Sequence, residues 1–210
     1  MSESTSAAPQ PSQSVPSRRR VASSLAWAVP TVVAAAAAPA EAASPPPRID
    51  RSFLVTRGTA GAGPGTTVTA CGSGSTRLSV TTDNVNTYYR IANVRTGSTV
   101  TNVTASILVQ KDVVDKLSNG LTWRSATADW SNPTRDVSGA KYINNGIEYY
   151  RYYSTLETAV PAPVSGTITL PRIGWYSNCS TALAGVSVNG RGSAVVNGKT
   201  LVNVGTYRTV

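Results

Sequence analysis

The longest strand-like run in the chain, Thr99-Val100-Thr101-Asn102-Val103-Thr104-Ala105-Ser106-Ile107-Leu108-Val109, constrains the fold more than any other feature. Its period is two, and its residues are the β-branched and small hydroxyl types that suit a pleated, half-buried surface. A helix would scatter these side chains around its circumference. A strand sorts them into a Val/Ile face toward a core and a Thr/Ser face toward water. Shorter runs of the same kind occur at Arg77 to Thr81 and at Thr87 to Val94 around Tyr88, Tyr89 and Ile91, and Thr66 to Cys71 reads as the first strand.

Turn chemistry agrees with this reading. Asn-Gly occurs at 119–120, 145–146, 189–190 and 197–198, and the dipeptide tolerates the positive φ angles of a tight hairpin. Tyr142 to Asn144 running into Ile147 to Tyr149 reads as one hairpin. Val186 to Val188, Gly192 to Val196 and Thr200 to Val204 read as a meander around the last two turns. Val109 to Leu117, with Lys111, Asp112, Asp115 and Lys116, suits either a short helix or a polar strand edge and loop. Ten or eleven short strands with no long amphipathic helix predict an antiparallel β-sandwich, with a β-barrel as the alternative.

The N-terminus follows a different rule. Residues 2–17 are polar, Arg18, Arg19 and Arg20 are consecutive charges, Val21 to Ala40 is an Ala- and Val-rich run interrupted by Pro30, and Ala40-Glu41-Ala42 places small residues where a signal peptidase reads. That order is the order of an export signal, with cleavage expected before Ala43. The chain therefore divides into a signal peptide at 1–42, a flexible N-terminal segment at 43–65 and a β-sandwich domain at 66–210. Ser17-Arg18-Arg19-Arg20-Val21-Ala22 resembles a twin-arginine signal. Ala26-Trp27-Ala28-Val29-Pro30 followed by Ala38-Pro39-Ala40-Glu41-Ala42-Ala43-Ser44 is similar to the signal peptides of actinobacterial surface and secreted proteins. The resemblance implies a secreted, extracellular address, with cell-wall association as a further expectation. No lipid-modified Cys, sorting motif or apolar tail stands in the sequence, so no transmembrane anchor is expected after cleavage.

Composition narrows the chemistry by subtraction. The chain has no His, which removes Ser-His-Asp and Cys-His nucleophile systems and imidazole metal sites. Cys71 and Cys179 are the only cysteines, so Cys-rich zinc and iron-sulfur sites are removed too, and neither a metal nor a cofactor is expected. In an exported chain two cysteines are most simply one disulfide. The acidic residues pair locally only at Asp112 and Asp115, Asp129 and Asp136, and Glu148 and Glu157. A glycosidase needs two carboxylates across one bond, and spacing alone brings none of these pairs together. The Gly-rich run from Gly58 to Gly65 lacks the Lys-Ser/Thr of a nucleotide loop.

Two features point to binding. Trp123, Trp130, Tyr150, Tyr152 and Trp175 are candidates for a ligand platform, because an aromatic ring offers a sugar an apolar face and a polar edge. Their competing use is core packing, which a chain with only Phe53 as phenylalanine needs. After Ala42 there are 16 Lys and Arg against 8 Asp and Glu, a net charge of +8. An exported cation of this kind meets anionic cell-wall polymers or acidic polysaccharide, whereas a nucleic-acid partner is not expected without a recognised binding fold. Leu121-Thr122-Trp123, Trp130-Ser131-Asn132-Pro133, Tyr149-Tyr150-Arg151-Tyr152 and Ala162 to Pro171 resemble the pattern of immunoglobulin-like modules in bacterial surface proteins. In those modules a Trp and a Tyr fill the space between sheets, so the resemblance implies a structural or binding role and no enzyme. A carbohydrate-active module, binding or hydrolytic, is the alternative expectation.

Overall fold

A computed structural model describes residues 45–60 and 68–210 of the chain. The export-signal residues Arg18, Arg19, Ala40 and Ala42, the cleavage point, and Thr66 and Thr67 lie outside the described residues. From Pro45 onward the chain forms one compact unit, and it is built almost wholly of antiparallel strands, numbered here along the chain. The largest sheet has the order β13 (Lys199–Asn203), β12 (Ser187–Val196), β5 (Val100–Gln110), β9 (Ile147–Thr155) and β7 (Thr134–Arg135), with β14 (Arg208–Thr209) against β12 and β8 (Tyr142–Asn144) against β9. A second sheet runs β1 (Arg48–Ser52), β4 (Tyr88–Ala92), β10 (Thr167–Thr169). A third runs β2 (Leu54–Gly58), β3 (Arg77–Thr81), β11 (Gly174–Ser177), β6 (Trp123–Ser125). Among the described residues none of these sheets closes into a barrel. The fold is an antiparallel β-sandwich.

The sequence reading places a flexible segment at 43–65 and a first strand at Thr66 to Cys71, and the structure corrects both. β1 and β2 occupy Arg48 to Gly58, interrupted only at Phe53, where the chain passes from the second sheet to the third. Residues 68–71 are not in a strand. Two five-residue strands enclosed by Pro45-Pro46-Pro47 and the Gly58 to Gly65 run are masked by the breakers on either side. The alternating burial of Ile49, Phe53 and Val55 was present in the sequence, with Arg51 breaking it. Lys111–Asp115 is a short helix, α1, so the helical alternative holds there.

Of the four Asn-Gly pairs, two make hairpins. Asn145 and Gly146 have φ 49° and 78° between β8 and β9, and Asn197 and Gly198 have 49° and 77° between β12 and β13. Gly120 ends the turn that follows α1, its N–H donating to Leu117 O at 3.0 Å. Asn189 and Gly190 lie inside β12, which runs unbroken from Ser187 to Val196 instead of turning. The reason is packing. A Cβ at Gly190 would lie 2.8 Å from Phe53 Cδ2, and one at Gly192 would lie 2.8 Å from two atoms of the Tyr89 ring. These glycines are where aromatic rings meet the strand's backbone.

Those rings belong to a ladder through the core. Phe53 and Tyr89 pack edge to face at 5.6 Å, Tyr89 and Trp130 stack at 6.0 Å, and Trp130 meets Trp175 edge-on at 6.4 Å. Each such pair contributes roughly 0.5–1.5 kcal/mol beyond area burial. Tyr89 is fully buried, and its hydroxyl donates toward the Thr104 carbonyl at 2.7 Å with the Ser193 carbonyl 2.9 Å away. That contact falls beside the register shift between Ser193 and Val195, where the β12 to β5 pairing is irregular. Burial keeps this phenol protonated.

Candidate functional site

The expected aromatic platform does not form. Trp123, Trp130, Tyr152 and Trp175 are 5, 2, 2 and 0% exposed, Trp123, Tyr152 and Trp175 at inward positions of β6, β9 and β11 and Trp130 at an isolated bridge to Leu156. Trp123 meets Tyr152 at 6.1 Å, and burial pushes the Tyr152 phenol up to about 12. Tyr150 alone of the five is half-buried, and its ring is already covered. The Arg135 guanidinium carbon lies 3.5 Å from the ring centroid, Lys111 Nζ lies 5.8 Å away, and the Tyr150 hydroxyl donates to Asp115 at 2.9 Å.

The acids near that ring are themselves paired with cations. Lys111 Nζ bridges Asp115 at 3.4 Å and Glu148 at 3.6 Å, while Arg151 holds Asp136 at 3.1 Å. The hydrogen bond from Tyr150 holds the Asp115 carboxyl below the ordinary range, and bonds from Ser138 do the same for Asp136. A general acid needs a shift in the opposite direction.

A different group of residues has charge without counter-charge. On one edge, β12 pairs with β14 at Ser187 and Val188 and with β13 from Gly192 onward, so residues 189–191 have no strand partner there. Arg51 reaches into that break. Its Nη1 lies 3.4 Å from where a Cβ would stand on Gly190, and a side chain on Gly205, at φ 58°, would coincide with its guanidinium. Gly205 is therefore required twice, for its left-handed backbone and for the space above it. Arg208 is anchored beside it by Nη2 bonds to the carbonyls of Phe53 at 3.1 Å and Val55 at 3.2 Å. Arg51, Ser52, Gly190, Asn203, Thr206 and Arg208 line a cleft of about 330 Å³.

Arg191, one residue from Gly190 and on the opposite face of β12, lines a neighbouring cleft of about 260 Å³ with Arg151, Tyr142 and Thr200. Its guanidinium lies 5.2 Å from the Tyr142 ring centroid and donates to the Tyr207 hydroxyl at 3.4 Å. Among the described residues no carboxylate pairs with Arg51, Arg191 or Arg208. Nε of Arg51 and of Arg191 is buried without a hydrogen-bond partner among the described residues, as are both polar atoms of the Asn189 side chain. Burial, and after it the charges of Arg191 and Arg208, bring the Arg51 guanidinium down to about 10.

The three arginines come from positions 51, 191 and 208, which sequence spacing does not join. One signal was available: Arg51 occupies an apolar position in the alternation Ile49, Arg51, Phe53, Val55. A cation on the core-facing side of a strand marks either a buried partner or a ligand. The chain matches no family model, no curated protein and no solved structure. Among the described residues no helix is long and apolar enough to cross a membrane.

Proposed function

We propose that the protein is a secreted or cell-envelope-associated β-sandwich with a non-catalytic binding role, and that it binds an anionic polymer at the cleft around Arg51. The observation that carries this reading is the half-buried Arg51 in that cleft, with Arg208 lining it too and Arg191 near enough from the other face of β12 to repel it, and no carboxylate paired with any of the three among the described residues. Like charges held together and partly out of water destabilise the folded state, and an anion placed among them relieves both the repulsion and the unpaired donors. A phosphate- or sulfate-bearing chain supplies acceptors that match the planar guanidinium fork. The net charge of +8 after Ala42 adds long-range attraction to the same partner.

The disulfide between Cys71 and Cys179 suits an oxidising compartment. The Trp123 and Tyr152 pair between the sheets is the arrangement expected of an immunoglobulin-like module, which supports a structural or binding role. The carbohydrate-active alternative loses its main support because four of the five platform residues are in the core and the ring of the fifth, Tyr150, lies under Arg135.

The test compares retention of the protein on immobilised dextran sulfate and on uncharged dextran. Retention on the sulfated polymer alone is expected, with release by about 1 M salt, where the screening length falls to roughly 3 Å. Arg51→Gln is expected to weaken retention more than Arg57→Gln, which removes an equal charge from an exposed position on β2. Equal retention on both polymers, or equal losses from the two variants, refutes the site.

A further inference from the structure

Cys71 and Cys179 are bonded with their Cα atoms 5.7 Å apart, and they close a separation of 108 residues. Cys71 is half-buried and Cys179 is exposed. Behind the bond, on β3, stands Arg77, whose side chain is only 6% exposed. Its Nε donates to Cys71 Sγ at 3.2 Å, and its Nη2 donates to Cys179 Sγ at 3.0 Å and to the Thr69 carbonyl at 2.7 Å. Behind Arg77 lies Tyr176 of β11, its ring centroid 5.5 Å from the guanidinium carbon. Among the described residues no carboxylate pairs with Arg77.

A buried cation ordinarily has an anion beside it. Here it is aimed at two neutral sulfurs, which are weak acceptors, and a staple that only holds loops together needs no such group. A thiolate in place of either sulfur would give the guanidinium its missing counter-charge and a charge-assisted hydrogen bond.

We propose that this disulfide is a thiol-exchange site at which a low-molecular-weight thiol becomes attached to Cys179 while Arg77 holds Cys71 as the leaving thiolate. The incoming thiolate sulfur attacks Sγ of Cys179, the more exposed of the two cysteines, and forms a new S–S bond. The Cys71–Cys179 bond breaks, and its electron pair departs on Sγ of Cys71. No oxidant is required, because one disulfide and one thiolate become another disulfide and another thiolate. Strands β3 and β11, paired from Ser79 to Thr81 and joined again by the bridge between Thr76 and Ser180, keep the two cysteines close after the bond opens. Attack of Cys71 on the mixed disulfide then restores the original bond and expels the small thiol, so the modification is reversible.

The experiment incubates the folded, oxidised protein with glutathione in the presence of iodoacetamide and maps the products by mass spectrometry. Glutathione on Cys179 with the alkyl group on Cys71 is expected, and the reverse distribution overturns the assignment. Opening is expected to be roughly tenfold slower in Arg77→Gln and largely restored in Arg77→Lys, because a leaving thiol of higher pKa departs more slowly. If the glutamine variant fails to fold, the pH profile of alkylation in the reduced wild-type protein decides the matter. A midpoint for Cys71 clearly below the ordinary value of about 8.5 supports the role of Arg77, and a midpoint at or above that value refutes it.

Discussion

Replacing Gly192 by Ala tests the closest approach in the core. The added Cβ would stand 2.8 Å from Tyr89 Cε2 and Cζ and 2.9 Å from its hydroxyl oxygen, while carbon atoms in comfortable contact are about 3.5–4.0 Å apart. The ring would have to retreat by about 0.7–1.2 Å. It has nowhere to go. Phe53 meets it edge-on, Trp130 stacks on it, and its hydroxyl is held by the Thr104 carbonyl. Overpacking of a rigid site costs about 1–3 kcal/mol, against which the stiffer alanine backbone recovers about 0.4–1 kcal/mol through the unfolded state. A net loss of about 1–2 kcal/mol is expected from these two effects, which for a domain of this size lowers Tm by about 2–8 °C. The control is Gly58→Ala: a Cβ there meets nothing within 4 Å and the backbone is not left-handed, so its stability should be unchanged or slightly raised. Urea denaturation of the two variants decides the matter through the midpoint at constant slope. If Gly192→Ala is as stable as the parent, the ring ladder is not the rigid element described above.

Tyr89→Phe keeps the ring and removes the donor, leaving the Thr104 and Ser193 carbonyls beside an apolar edge. A loss of about 1–3 kcal/mol is expected in the same urea assay, and an unchanged midpoint would show that the hydroxyl contributes nothing. Asp83 accepts hydrogen bonds from the backbone N–H of Thr87 and of Val85 and from the Thr87 hydroxyl, with the Thr87 backbone bond the largest influence in holding its carboxyl down to about 2. Because the folded value lies below the ordinary 3.8, the stabilisation is complete above that pH and is lost as pH falls toward about 2. An NMR titration of the Asp83 carboxyl should give a midpoint near 2, and a midpoint near 3.8 would remove the turn from the account of the β3 to β4 connection.

What could be read from the sequence depended on whether a signal was local. The alternation of β5, the Asn145-Gly146 and Asn197-Gly198 hairpins and the pairing of two lone cysteines are all properties of neighbouring residues or of a count, and the structure has each of them. Asn189-Gly190 carries the same local signal as the hairpins but has the opposite outcome, because Phe53 and Tyr89 approach β12 from distant parts of the chain. Tertiary contact overrides turn preference there. The platform reading failed for the same reason, since nothing local to Trp123 or Trp175 says which sheet will cover it. The arginine cleft draws on both ends of the domain, and only Arg51, set among apolar positions, carried any trace of it.

The bonds that join the end of the domain to its beginning set the order in which it can fold. Asn203 donates to the Ile49 carbonyl, and Arg208 donates to the carbonyls of Phe53 and Val55. β1 and β2 leave the ribosome before the other described strands and wait for these partners through some 150 residues of chain. Contacts so distant in sequence form slowly, because the loop entropy is lost before the contacts form. A chain delivered from its N-terminus leaves these carbonyls of β1 and β2 and of Phe53 between them without partners until Asn203 and Arg208 appear. Folding of the two strands is thereby tied to the arrival of Asn203 to Arg208, and removal of residues 203–210 should leave a domain that proteases open at β1 and β2.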